Sequence, residues 1–233
     1  MDIAVIAARG GSTRIKHKNI RPFCGRPVIE YALAAALTSK LFAHVVVSTD
    51  SEEIARVAKE AGALIPFVRP PALADNAVPL ADVIYHATDW MLQNCGTIRF
   101  VCALYANSPL IRVSDLRRGL LNIQDNDADA AIAVARFRSP IHRALQITAG
   151  NRLRMLWPEF EMTHSTDVPT MYHHAAHFIW LKVERFMISR RIFTNNSVPV
   201  IIPGYLGNDI DDEEDWITTE VLYEVCKRNG LLT

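Results

Sequence analysis

The regular alternation of short β-branched runs with longer amphipathic patterns constrains the fold of this chain most strongly. Strands are predicted at residues 3–8, 44–48, 63–68, 100–105, 130–137 and 198–202. Helices are predicted at residues 28–38, in a segment ending at residue 61, at 79–93, from about residue 114, and at 213–226. This alternation is typical of a three-layer α/β/α fold, in which helices cover both faces of a mostly parallel sheet. In such a sheet, ligands bind at the carboxyl ends of the strands.

The alternation breaks between residue 139 and about residue 169. Short strand-like pieces at 144–148 and 152–156 are mixed there with polar stretches. We interpret a segment of about 139–176 as an inserted arm or lid that contacts a second copy of the chain. A length of 233 residues fits one large domain, so residues 1–233 are expected to form a single domain.

Composition disfavours several classes of protein. Lys plus Arg and Asp plus Glu both number 25, and a net charge of zero disfavours a general nucleic-acid binder. The four cysteines are scattered without a CxxC pair, which indicates reduced thiols in a cytoplasmic protein. The first residues are typical of a strand and not of a signal peptide, and no apolar stretch is long enough to span a bilayer, so no membrane partner is expected.

The loop after the first predicted strand is rich in glycine and in basic residues. It has the sequence ARGGSTRIKHKN at 8–19. The adjacent residues Gly10 and Gly11 let backbone amides approach an anion without a Cβ in the way. Four cations in the same loop favour a triphosphate site over a solvated turn, and these are Arg9, Arg14, Lys16 and Lys18. The spacing matches neither GxxxxGK[ST] nor GxGxxG, which disfavours an ordinary ATPase or dehydrogenase.

A pair of aspartates follows the last predicted strand. Asp209 and Asp211 are two residues apart, so in extended backbone their side chains point to one side. Two carboxylates can hold Mg²⁺, which takes its other ligands from water and from substrate phosphates. The simpler alternative is that Asp211 and Asp212 cap the final helix. Both interpretations hold if Asp212 alone is the cap.

The loop and the aspartate pair together resemble the acylneuraminate cytidylyltransferases, the CMP-sugar synthetases for sialic acid and its relatives. The resemblance covers nearly the whole chain and rests on ARGGS at 8–12, KNI at 18–20, VSTD at 47–50, RP at 69–70, LA at 73–74 and the aspartate pair. Within the family the chain is most similar to the pseudaminic acid branch, through CALYA at 102–106, SP at 108–109, YH at 172–173 and DW at 215–216.

The resemblance implies a Rossmann-like fold of the nucleotide-diphospho-sugar transferase type, with the arm forming a homodimer. It implies CTP and an acidic 2-keto-3-deoxy nine-carbon sugar as substrates, pseudaminic acid first, and Mg²⁺ as the cofactor. The products are the CMP-sugar and pyrophosphate. The anomeric hydroxyl attacks the α-phosphorus in line, so catalysis depends on positioning and charge neutralisation.

The resemblance also implies roles for individual residues. The CTP-binding set is Ala8, Arg9, Gly10, Gly11, Ser12, Arg14, Asn19 and Arg69, with Arg69 at the cytidine end. The catalytic set is Arg9, Lys18 and Asp211, and the Mg²⁺ ligands are Asp209 and Asp211. The sugar-binding set is Tyr105, Asn107, Ser108, Arg143, His173 and His177.

Several positions near the expected sugar depart from the family pattern, among them Thr13, Val78, His174 and His177. These departures leave open another sugar, namely sialic acid, legionaminic acid or a 3-deoxy-octulosonate. They also leave open a catalytically silent relative that acts as a binding or assembly subunit. A sugar-nucleotide glycosyltransferase is disfavoured because the aspartate pair follows the last strand.

Overall fold

The computed structural model describes residues 1–164 and 166–232 and contains a six-stranded central sheet. The strands are β1 (Asp2–Ala7), β2 (Pro22–Phe23), β3 (Arg26–Pro27), β4 (His44–Ser48), β5 (Phe100–Tyr105), β6 (Ala130–Arg136), β7 (Leu145–Ile147), β8 (Leu153–Met155), β9 (Tyr172–Lys182) and β10 (Ser197–Ile202). The helices are α1 (Ile29–Ser39), α2 (Glu52–Glu60), α3 (Leu80–Cys95), α4 (Val113–Asp125), α5 (Val183–Ser189) and α6 (Glu213–Arg228).

The central sheet has the strand order β10-β6-β9-β5-β1-β4. All neighbouring pairs are parallel except those of β9, which runs antiparallel to both β5 and β6. Residues 3–6 of β1 are fully buried, as expected for a strand covered on both faces. The predicted mostly parallel sheet with helices on both faces is confirmed.

Apolar side chains bury the sheet on both faces. On one face Ala4 of β1 belongs to a cluster with residues of α1, α2 and α4, and on the other Val5 belongs to a cluster with residues of α3 and α5. A third, smaller cluster lies beside the sheet and joins distant parts of the chain, with Ile15, Phe23, Val28, Tyr31, Ile210 and Trp216 as its buried members. This third cluster, the anchor cluster, positions the candidate site.

The predicted strand at residues 63–68 is wrong. This segment makes a single parallel bridge, from Leu64 to Val46, and then runs along the edge of β4. Pro66 lacks an N–H for a ladder, and Leu64 and Val68 are exposed, so no second neighbouring strand covers the segment. Only an isolated bridge therefore forms where a strand was expected.

The segment predicted as an arm contains the short antiparallel pair β7–β8. Its last five residues, 172–176, belong to β9, which was not predicted and which lies at the centre of the sheet. Helix α5 was not predicted either. No helix within residues 1–164 and 166–232 is both long and apolar enough to cross a membrane.

Candidate functional site

A cavity of about 330 Å³ opens at the carboxyl ends of β1 and β5. This is the edge at which a doubly wound sheet binds ligands. Ten residues of the predicted site line it, namely Arg9, Ser12, Arg14, Lys18, Asn19, Arg69, Tyr105, Asn107, Asp209 and Asp211. The structure therefore brings the phosphate loop and the aspartate pair to one cavity, although they are about 200 residues apart in the chain.

The anchor cluster explains why these two segments meet. Ile15 of the phosphate loop and Ile210, the residue between the paired aspartates, are both fully buried in it. Trp216 of α6 packs in the same cluster and contacts Phe23 edge-on, at 5.5 Å between ring centroids. Burial of these apolar side chains stabilises the approach of the two polar segments, whose charged groups are left facing the cavity.

Hydrogen bonds from the loop itself fix the charged groups that face the cavity. The buried Asn19 side chain donates to the carbonyl oxygen of Arg9 at 3.0 Å, so it holds the loop from within. Lys18 Nζ donates to the carbonyl oxygen of Ile210 at 2.8 Å and lies 3.6 Å from Asp211 Oδ1. Arg14 Nη2 lies 2.8 Å from the same oxygen. Two cations of the phosphate loop therefore share one carboxylate of the aspartate pair.

The acidic residues in the turn before α6 divide into those that cap the helix and one whose side chain faces the cavity. Asp212 is the N-cap, and its carboxylate accepts the Asp215 N–H at 3.0 Å. The Asp215 carboxylate accepts the N–H groups of Asp211 and Asp212 in return. This reciprocal capping holds the Asp211 backbone and leaves its side chain free to face the cavity. Of the two earlier interpretations, the one in which Asp212 is the cap describes the structure.

The electrostatics of the aspartate pair favour a bound cation. Partial desolvation by the cavity walls raises the pKa of Asp209, and the neighbouring charge of Asp211 raises it further. Burial and then Asp209 raise the pKa of Tyr105 to about 12, so this phenol stays protonated. Asn107 donates to the carbonyl oxygen of Ile210 at 2.9 Å and contacts Asp209 at 3.4 Å. The two carboxylates therefore repel one another, and Lys18 and Asn107 oppose the effect of that repulsion at Asp209.

The pair fits Mg²⁺ by the chemistry of its oxygen donors. Two carboxylates suit a hard cation that takes its remaining ligands from water and phosphates. Within the described residues there is no group of three or more His, Cys, Asp or Glu side chains that could form a dedicated metal cage. Such a two-carboxylate arrangement is therefore compatible with a metal bound jointly by protein and nucleotide.

Arg69 is a buried residue whose guanidinium lines the cavity. It donates from Nε to Ser48 Oγ at 3.1 Å and from Nη2 to the carbonyl oxygen of Ser48, which fixes it to the end of β4. Burial lowers the pKa of Arg69, Asp50 opposes that shift, and Arg9 adds to it. The part of the guanidinium that faces the cavity can donate to a polar ligand.

The other predicted residues lie outside the cavity wall. Ala8 is buried, and Gly10 and Gly11 are not among the lining residues. Ser108 is buried and donates to the carbonyl oxygen of Ala176, while Arg143 donates to that of Thr163 within the arm.

The two predicted histidines of the sugar site also lie apart from the cavity. His173 packs against Phe137, at 5.0 Å between ring centroids. His177 is buried beneath the sheet end with Nε2 2.8 Å from the carbonyl oxygen of Leu206. Of the predicted sugar-binding set, only Tyr105 and Asn107 line the cavity.

Sequence reasoning missed part of the wall. The loop between Arg69 and α3 contributes Leu73, Asp75, Asn76 and Val78, of which Asp75 and Asn76 were not predicted. Asp75 accepts the N–H of Ala77 at 2.8 Å, which shapes this loop. The available signal was the polar pair Asp75-Asn76 a few residues after a predicted strand end.

Comparison with known proteins identifies the family of this chain. The sequence model described as Cytidylyltransferase matches residues 3–194. The chain belongs to the cytidylyltransferase family. This cytidylyltransferase is 33% identical to a pseudaminic acid cytidylyltransferase of Campylobacter jejuni, over 96% of this chain and 97% of that one. It is 42% identical to a CMP-N,N'-diacetyllegionaminic acid synthase of Legionella pneumophila, over 96% of both chains.

The solved structures agree on the fold of this cytidylyltransferase. A CMP:2-keto-3-deoxy-manno-octonic acid synthetase complexed with CTP matches it with a TM-score of 0.71. That match covers 96% of this chain and 98% of the other at 15% identity, so it shows the Rossmann-like nucleotidyltransferase fold alone. Family membership makes the protein an enzyme of nucleotidyl transfer.

Proposed function

We propose that this cytidylyltransferase transfers CMP from CTP to the anomeric hydroxyl of an acidic 2-keto-3-deoxy nine-carbon sugar and releases pyrophosphate. One observation carries the proposal, namely the meeting of the basic phosphate loop with the aspartate pair in one cavity. Arg14 Nη2, from the phosphate loop, lies 2.8 Å from Asp211 Oδ1, from the aspartate pair. A cavity lined by both cations and carboxylates suits a metal–triphosphate complex.

The residues of the cavity account for binding and orientation. Arg9 and Arg14 supply positive charge for the triphosphate, and Arg69 supplies a fixed donor for the cytidine end. Lys18 is held by the carbonyl oxygen of Ile210, so its ammonium is preorganised to neutralise charge that develops on the phosphates. Asp209 and Asp211 would hold Mg²⁺, which when bound neutralises phosphate charge and eases loss of the hydroxyl proton.

Two relatives support two related sugars. The Campylobacter jejuni relative is named for pseudaminic acid, which we propose first because the motif pattern is most similar to that branch. The Legionella pneumophila relative is named for N,N'-diacetyllegionaminic acid and has the higher identity, 42%, which makes this sugar the second candidate. Tyr105 and Asn107, next to Asp209, are the proposed sugar contacts on the cavity wall.

The test is pyrophosphate release from CTP and Mg²⁺ with four acidic sugars: pseudaminic acid, N,N'-diacetyllegionaminic acid, N-acetylneuraminic acid and a 3-deoxy-octulosonate. We expect pseudaminic acid to give the highest kcat/KM. A higher value with N,N'-diacetyllegionaminic acid would establish the second candidate instead. No pyrophosphate release with any of the four would contradict the proposal and favour the catalytically silent alternative.

A pair of lysine variants tests the site assignment. Lys18→Ala should lower kcat by about 100- to 1000-fold, because it removes a preorganised donor to developing charge. Lys16→Ala is the matched control, since Lys16 is an exposed cation of the same loop outside the cavity wall. Near-normal turnover in Lys18→Ala, or an equal loss in both variants, would contradict the assignment.

We also propose that the arm forms a homodimer contact. In the β7–β8 hairpin Leu145 pairs with Met155 and Ile147 pairs with Leu153, so one face of the hairpin is apolar. Leu145, Ile147 and Leu153 are 57%, 69% and 67% exposed. A two-stranded hairpin with an uncovered apolar face is marginal in water, and a second copy would cover it.

We place the enzyme in the cytoplasm, where its four free cysteines stay reduced.

A further inference from the structure

Asp50 is an acidic residue that directly contacts a loop expected to bind an anion. It follows β4 and precedes Ser51, the N-cap of α2. Its Oδ1 accepts the N–H of Gly10 at 3.0 Å. Asp50 is exposed and belongs to no wall of the cavity that the described residues form. It therefore reaches the phosphate loop from outside.

Close packing supports this contact. A Cβ built on Gly10 would lie 3.1 Å from Ser51 Cβ, so the loop backbone lies against the start of α2 at this point. Ser48, the last residue of β4 and close to Asp50 in the chain, accepts a hydrogen bond from the Arg69 side chain. Asp50 therefore connects the phosphate loop to the end of β4, where Ser48 fixes the buried Arg69 guanidinium.

Two roles of Asp50 have to be distinguished, one through its negative charge and one through its hydrogen bond to Gly10. Through its charge, a carboxylate beside a triphosphate site repels the ligand, although the same charge also favours the protonated form of the buried Arg69. As a hydrogen-bond acceptor for Gly10, the same group orders a glycine-rich segment that is otherwise free to adopt many conformations. The ordering role is the one that the 3.0 Å hydrogen bond and the packed backbone favour.

We propose that Asp50 is a positioning residue of the nucleotide site, whose carboxylate fixes Gly10 and so holds the phosphate loop in the conformation that binds CTP. The inference rests on the proposed function. It makes the acceptor oxygen of Asp50 the important property, and not its charge. An asparagine at this position keeps that acceptor, whereas an alanine removes it.

The experiment compares Asp50→Ala, Asp50→Asn and Glu52→Gln with the wild-type chain. Glu52→Gln is the charge control, because Glu52 is an exposed acid in the first turn of the same helix. CTP affinity is measured by calorimetry without sugar, and exchange of the Gly10 amide proton is measured by NMR without nucleotide. Thermal unfolding checks that each variant folds.

Asp50→Ala should raise the Kd for CTP about tenfold, as expected for loss of a charge-assisted hydrogen bond. It should also accelerate exchange of the Gly10 amide. Asp50→Asn should stay within about threefold of wild type in Kd, since a neutral hydrogen bond retains most of the ordering. Glu52→Gln should change neither quantity.

Two outcomes would overturn the inference. Wild-type CTP affinity and Gly10 exchange in Asp50→Ala would mean that the hydrogen bond does not hold the loop. An equal loss in Asp50→Asn and Asp50→Ala would mean that the charge, and not the acceptor, matters. Failure of the proposed function is distinguishable, because a wild-type chain that binds no CTP overturns that function whatever the exchange of Gly10 shows.

Discussion

The buried imidazole of His177 predicts that acid destabilises this enzyme. The side chain is 1% exposed, and Nε2 bonds to the carbonyl oxygen of Leu206. Nδ1 has no hydrogen-bond partner within residues 1–164 and 166–232. Burial lowers the pKa of His177 from 6.5 to about 4, although the bond to Leu206 opposes that shift. The folded chain therefore holds this side chain neutral.

The size of the effect follows from the two pKa values. Since the pKa of His177 is lower in the folded chain, the unfolded chain takes up the proton first as the pH falls. The stability from neutral His177 is complete above a pH of about 6.5 and is lost as the pH falls to about 4. This difference corresponds to about 3 kcal/mol, of which about 2 kcal/mol is lost by about pH 5.

The assay is urea unfolding of the wild-type chain and of His177→Gln between about pH 7 and about pH 5. A glutamine amide does not titrate and can donate to Leu206. Burial also lowers the pKa of His86 and His174, and subtraction of the two curves removes their shared contribution. Wild type should lose about 2 kcal/mol more than the variant over this range. Parallel curves for the two proteins would refute the reasoning.

Three further predictions follow from contacts elsewhere. Gly119→Ala should cost about 1 to 3 kcal/mol in urea unfolding, because its Cβ would lie 2.6 Å from an indole carbon; unchanged stability would contradict the packing. Arg14→Gln should tighten the binding of Mn²⁺ about threefold, because it removes a cation from the aspartate pair. The measurement is a paramagnetic resonance titration without nucleotide, and an equal change in Lys16→Gln would contradict the Arg14–Asp211 contact. If the proposed homodimer forms through the arm, Ile147→Asp should give a monomer in light scattering, whereas Gln146→Asp, on the opposite hairpin face, should leave the dimer intact. A dimeric Ile147→Asp would argue against the arm as the interface.

The agreement between predicted and observed strands depends on burial. β4 and β5 have the predicted bounds, because a strand covered on both faces is a continuous apolar run with polar neighbours. β9 was missed because its first half, YHHAAH at 172–177, contains three histidines and gives no such run. Its place between β5 and β6 depends on long-range antiparallel pairing, which local patterns do not encode.

The candidate site shows the same division between local and long-range information. The phosphate loop and the aspartate pair each follow a strand, so the rule of carboxyl strand ends was enough to predict that they meet. The positions of His173 and His177 could not be predicted from the sequence because β9 carries an irregularity in its pairing. Its register with β6 shifts between Ile132 and Val134, and Ala176 has a φ of 49°. Two residues of β6 correspond there to five residues of β9, from Ile179 back to His174, so the alternation of side chains along β9 is interrupted, and the buried His177 lies within this irregular stretch.

The position of His177 also links the acid sensitivity to the site itself. Its bond partner, Leu206, begins the turn that leads to the aspartate pair, and the Asn208 N–H donates to the same carbonyl oxygen at 2.8 Å. Asp209 and Asp211 repel one another, and their positions depend on Arg14 and Lys18, on this turn and on the buried Ile210 between them. Protonation of His177 puts a buried positive charge next to that turn, and the attraction of Asp115 is smaller than the effect of burial. The group that makes the fold sensitive to acid therefore lies in direct contact with the segment that places the two carboxylates.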